Sequence, residues 1–289
     1  MRRLCAAAQD FGLTDQICQL VQLNATMSVA RNSLGREGSV KRRSFHPVGV
    51  GAFGHIHLAD LAQGFFHQET SSQLRAAIRF SNVMSGDDAQ PQIRGAALRL
   101  YSQEDIMTPL FDLILQSGDG RNIFPTLQLA VNLFKDPDYA IDLPLRQAQL
   151  SAVRQVPGSF SDLHYFAAHT YSWQSTSWAR FRLRHQNCQV DLPPYSNDIN
   201  CDLLNITRSE DDYRDPSFLR QRFMEDCRCP GGQRFLLEVQ IRPKSNDDAI
   251  DITLQDGLIL WDDCAWQLFA EIDLNHLLPD DIVERMRFN

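Results

Sequence analysis

No apolar run in the 289 residues approaches the roughly 18 that a membrane-spanning helix requires, so a transmembrane segment is not expected. A surplus of positive charge is also missing. With 28 Lys and Arg against 36 Asp and Glu the formal net charge is −8, the wrong sign for a broad nucleic-acid footprint. The one basic run, Arg36 to Arg43, is short and local. Cysteine spacing lacks the order of a disulfide framework: the seven lie at 5, 18, 188, 201, 227, 229 and 264, and Cys227-Arg-Cys229 has no second pair at zinc-site spacing. Reduced thiols in an intracellular compartment are the expectation. The N-terminus imitates a signal peptide only until Gln9 and Asp10 cut its apolar stretch short. Repeats and low-complexity segments are absent. So is any tyrosine after Tyr213.

What is present is enough for a large core, since 43% of the chain is apolar and 17 residues are Phe. Leu13, Ile17, Leu20 and Val21 recur at helical spacing, so residues 1–42 are expected to form a helical arm and loop. Such an arm could be exchanged between subunits of a homo-oligomer. Alternating segments follow near 48–58, 74–82, 94–101 and 110–116, then 179–185, 234–242 and 266–274. Helices are expected over 127–134, near 160–168 and over 217–227. Short turns between the first strands predict an antiparallel meander, and strands from both halves would close it into a barrel. The fold class is therefore α+β, a closed antiparallel β-barrel with helices inserted between its strands.

Arg43-Ser-Phe-His46, followed by Gly49, Gly51, Phe53 and Gly54, is the most informative stretch. A lone histidine is more often a satisfied polar residue than a catalyst, but further segments agree in order. Arg79-Phe-Ser81, Arg94-Gly95, Phe111-Asp-Leu-Ile-Leu-Gln116 and Phe124-Pro125 come next, and Phe235 to Gln240 and Leu254 to Leu274 follow. Over about residues 43–288 the chain resembles the heme catalases, with spacings closest to the small catalase-related branch that includes allene oxide synthases. The resemblance implies a catalase-like barrel over 43–289 and a heme iron cofactor. His46 is then the distal histidine, Ser81 its hydrogen-bond partner, and Gln116 the distal amide. Arg43 and Arg79 would pair with heme propionates, and Phe124 would stack on the macrocycle. The implied substrate is hydrogen peroxide or a fatty-acid hydroperoxide.

Three departures from that family pattern bear on function. Gln116 stands where the family has Asn, and Phe45 stands before His46 where a smaller residue is usual. The family's Arg-x-x-x-Tyr ligand helix has no counterpart before Asn289, so the barrel domain is expected to be C-terminally incomplete and to hold heme weakly. If a proximal tyrosine exists in the full gene product, a catalase, peroxidase or hydroperoxide dehydratase is expected. The alternative is a non-catalytic barrel that has lost the cofactor, and a third is a generic barrel holding a small ligand inside. His55 and His57 share a strand face and are expected to point outward as ordinary polar residues.

Overall fold

The computed structural model describes residues 46–63, 74–102, 109–122, 143–188 and 207–286. The N-terminal arm, the helix expected at 127–134, and Arg43, Phe45 and Phe124 lie outside the described residues.

The alternating segments form strands β1 (Gly49–Leu58), β2 (Leu74–Asn82), β3 (Arg94–Ser102) and β4 (Pro109–Ser117), then β5 (His164–Ala167), β6 (Tyr171–Trp173), β7 (Ser177–His185), β8 (Gln233–Pro243) and β9 (Gln267–Leu277). All pairings are antiparallel, in the order β5-β4-β3-β2-β1-β9-β8-β7-β6, and β5 also pairs with β7. That last pairing closes an eight-stranded barrel, while β6 continues along the same edge of β7.

The pleat sorts the side chains. Ile78, Phe80, Leu98, Leu113 and Leu115 turn inward and are buried, whereas Leu110 and Ile114 stand exposed on the outside of β4. The interior is filled by aromatic rings: Phe80 lies 5.6 Å from Phe160, 5.2 Å from Tyr165, 5.0 Å from Phe223 and 5.4 Å from Phe235. The helix Phe218–Arg228 adds Leu219, Phe223 and Cys227, one face at successive turns, to this core. Other helices are Asp60–Gln63, Leu143–Val153, Asp248–Gln255 and Asp280–Arg285. None in the described residues is long and apolar enough to cross a membrane.

The helix expected near 160–168 is corrected. Only Phe160–Asp162 winds, as a 3-10 turn capped by Ser159, and His164–Ala167 is the short strand that closes the barrel. Tyr165 turns inward there and donates its hydroxyl to Phe160 O at 2.9 Å, a strand alternation too brief to register as a period.

The outer face of this closing seam is charged. Glu238 accepts from Arg182 at 2.8 Å and from Arg184 at 3.0 Å. Burial alone would raise its carboxyl, but the Arg184 hydrogen bond and the Arg182 charge outweigh it and hold the group below the ordinary glutamate range. Beside them burial, aided by the same two arginines, lowers His164 to about 4 from its ordinary 6.5. The unfolded chain protonates this histidine near pH 6.5 and the folded one only near 4, so stability falls as the pH drops between those values. His164→Gln is expected to flatten that part of the acid limb, checked by urea midpoints at pH 7 and pH 5.

Candidate active site

His46 immediately precedes β1 and is held at both ends of its peptide unit. Its N–H donates to Val83 O at 2.8 Å, and its own carbonyl accepts from Arg79 Nη2 at 3.0 Å. Its φ of 56° is left-handed, an uncommon state for a residue with a side chain. The turn swings the imidazole back over the outer surface of the barrel. There Nδ1 lies 2.8 Å from Ser81 Oγ.

Register explains why the ring fits. Ser81 pairs with Gly95 and Gly95 with Gln116, so these three occupy one row on the outer face of β2, β3 and β4. The imidazole rests against the middle of the row. A Cβ added at Gly95 would stand 2.5 Å from His46 Cε1 and 3.0 Å from Nδ1. Gly95→Ala is therefore expected to push the ring off Ser81 while leaving the β3 amides in place, which His46 ring nitrogen and carbon resonances would report. Gln116, at the far end of the row, donates to Arg121 O over 3.4 Å, a long bond. The next row outward is Arg79, Ala97 and Ile114, the last 49% exposed.

Arg79 does not project openly from its row. It is 2% exposed, donates Nε to Val283 O at 3.2 Å, and lies 3.3 Å from Glu284 Oε1. Arg94 is also a framework residue: it donates to Asp88 O and Gln90 O at 3.1 Å and contacts Gln92 O, so it pins the turn between β2 and β3. Burial lowers it to about 10.

The comparisons with known proteins agree with this fold. No protein-family model matches. A catalase of Streptomyces coelicolor is 27% identical over 168 residues, covering 50% of this chain and 34% of its own. One of Aliivibrio fischeri is 24% identical over 293 residues, covering 86% and 58%. Catalase A from Saccharomyces cerevisiae superposes with a TM-score of 0.59 at 16% identity over 86% of this chain and 54% of its own. A fungal catalase gives 0.57 at 16% identity, over 86% and 52%.

The chain is similar in sequence to catalases over about half its length and shares the catalase fold. It spans about a third of the length of the Streptomyces catalase and of catalase A from Staphylococcus xylosus, at 34% and 36%. Gly95 and Ala97 leave the outer face of β3 nearly free of side chains beside the His46 imidazole, and Ile114 offers an apolar neighbour, so the distal half suits a flat apolar macrocycle. The described tyrosines stand elsewhere. Tyr165 is buried in the barrel, Tyr171 packs 5.6 Å from Phe181, Tyr101 lies at the other end of β3 from Gly95, and Tyr213 is 87% exposed. Among the described residues no cluster of His, Cys, Asp and Glu is arranged to hold a metal. His55 and His57 do point outward, His57 lying 3.7 Å from Asp273.

Gly95, singled out in Arg94-Gly95, stands inside a strand, where glycine marks a close approach. One contributor to this site is not apparent in the sequence. Glu284 gives no local signal, because its contact with Arg79 is set by the fold.

Proposed function

We propose that this protein is a catalase-type heme oxidoreductase in which His46 moves the proton of a bound hydroperoxide. The observation that carries the reading is the His46 ring, tied to Ser81 and seated on Gly95 in one row with Gln116. Heme, when bound, supplies the metal centre at which the O–O bond is cleaved. The chain does the rest. With Nδ1 engaged by Ser81, Nε2 is the nitrogen placed to take the proton from the near peroxide oxygen and deliver it to the far one. Ser81 fixes the tautomer that allows this. Gln116 carries the amide that would hold the peroxide, with one methylene more reach than Asn. Arg43 and Phe124 are proposed to meet a propionate and the macrocycle face. Arg79 is a second propionate candidate.

The substrate follows from what flanks the row. Ile114 lies two residues from Gln116 on the same outer face, and Leu110 follows at 42% exposure. Asp112, paired with Arg99, stands between these two side chains, so Ile114 is the apolar neighbour of the row that would favour an organic hydroperoxide alongside hydrogen peroxide. Hemin titration of the purified chain tests the cofactor: a weak Soret band that saturates only with hemin in excess is expected, and its absence would leave the non-catalytic barrel. Consumption of hydrogen peroxide and of a fatty-acid hydroperoxide by the loaded protein then ranks the substrates.

A further inference from the structure

We propose that Arg79 and Glu284 are positioning residues that hold His46 in its left-handed conformation, so that residues 279–286 complete the site from the far end of the chain. The functional meaning of this rests on His46 being the proton-moving residue, while the geometry stands on its own contacts.

A left-handed histidine persists only where its surroundings over-determine it. Here the anchors are separate. Val83 O takes the His46 N–H at 2.8 Å, Ser81 Oγ meets the ring at 2.8 Å, and Arg79 Nη2 takes the carbonyl at 3.0 Å. The third anchor is charged and buried, and a buried guanidinium needs its own partners. The helix Asp280–Arg285 supplies two: Val283 O on Nε at 3.2 Å and Glu284 Oε1 on Nη2 at 3.3 Å. Nη2 is therefore shared between the Glu284 carboxylate and the His46 carbonyl, and the carboxylate orients the nitrogen that grips the histidine.

Glu284 also binds the strand that follows His46. The same Oε1 accepts the Gly49 N–H at 3.0 Å. Gly49 has no spare space: a Cβ there would stand 2.5 Å from Arg79 Cζ and 2.7 Å from Nε and Nη2. Nearby, Leu278 N–H donates to Gly51 O at 2.9 Å, and a Cβ at Gly51 would meet Val283 Cγ2 at 2.9 Å. Two glycines of β1 thus admit the guanidinium and the helix that orients it, and both elements bear on His46.

Amide hydrogen exchange on the full chain, resolved by NMR, tests this without any cofactor. In Arg79→Leu and Glu284→Gln the His46 amide is expected to exchange about tenfold faster or more, while β3 amides such as that of Leu98 stay within about threefold of wild type. Arg79→Lys should recover part of the protection, since it keeps a donor and charge but not the fork. Gly49→Ala, which alters neither charged residue, should reproduce the loss by displacing the guanidinium. Ser81→Ala should leave the His46 amide slow and change only its ring nitrogen shifts. A slow His46 amide in folded Arg79→Leu or Gly49→Ala would overturn the proposal. So would a uniform acceleration of all amides in all these variants, which would make the pair a general stability element. Failure of the heme reading, seen as a missing Soret band, would change none of these exchange results.

Discussion

His46→Ala, in the heme-loaded protein, is expected to cut hydroperoxide turnover by about 10²–10⁴-fold while leaving the Soret band in place. The magnitude is that of losing a positioned general acid–base. Among the described residues no second imidazole stands in the row to replace it, because the row holds a serine hydroxyl, a glycine and an amide. The band should survive because the distal histidine touches the peroxide rather than holding the cofactor. Ser81→Ala should cost less, since it frees the tautomer without removing the base. Two outcomes would count against the assignment. Turnover within about threefold of wild type would make His46 a bystander. A lost Soret band would make it a cofactor-holding residue.

Much of the barrel was readable because strand alternation is local. The expected strands at 74–82 and 94–101 correspond to Leu74–Asn82 and Arg94–Ser102, and the others start or end within a few residues of expectation. Each repeats inward apolar positions at every second residue over at least nine residues, long enough for the period to register. The closing strand His164–Ala167 has four residues, and the Phe, Leu and Ala around it sit as well on a helix period as on a strand period. Its identity comes from pairing with β4 and β7, which no local pattern encodes. The site divides in the same way. His46, Ser81 and Gln116 could be singled out by motif resemblance, because each lies in its own short signature. That Ser81, Gly95 and Gln116 share one row depends on the registers of two strand pairs. Arg79 carried a motif signal too, but its partners Val283 and Glu284 are 204 and 205 residues away, where only the folded barrel could bring them.

Phe80→Ala is expected to cost about 3–5 kcal/mol of stability and to loosen the site from beneath. Phe80 is fully buried at the meeting point of both halves of the barrel, with four aromatic neighbours whose ring centroids lie 5.0 to 5.6 Å away. Those neighbours come from the 160–165 segment, from β8 and from the helix Phe218–Arg228, so the cavity left by alanine would open between elements that cannot all collapse together. Each lost edge or stacked contact adds to the transfer cost. Because consecutive residues point to opposite faces, Phe80 anchors the inward side of the peptide whose outward neighbours are Arg79 and Ser81, the two side chains that grip His46. Phe80→Leu keeps most of the volume and should cost less, about 1–2 kcal/mol. Urea unfolding measures both variants. A midpoint shift with an unchanged slope is expected for each. A loss below about 1 kcal/mol for the alanine variant would mean that the aromatic cluster repacks freely, and that the outer row does not depend on this core for its alignment.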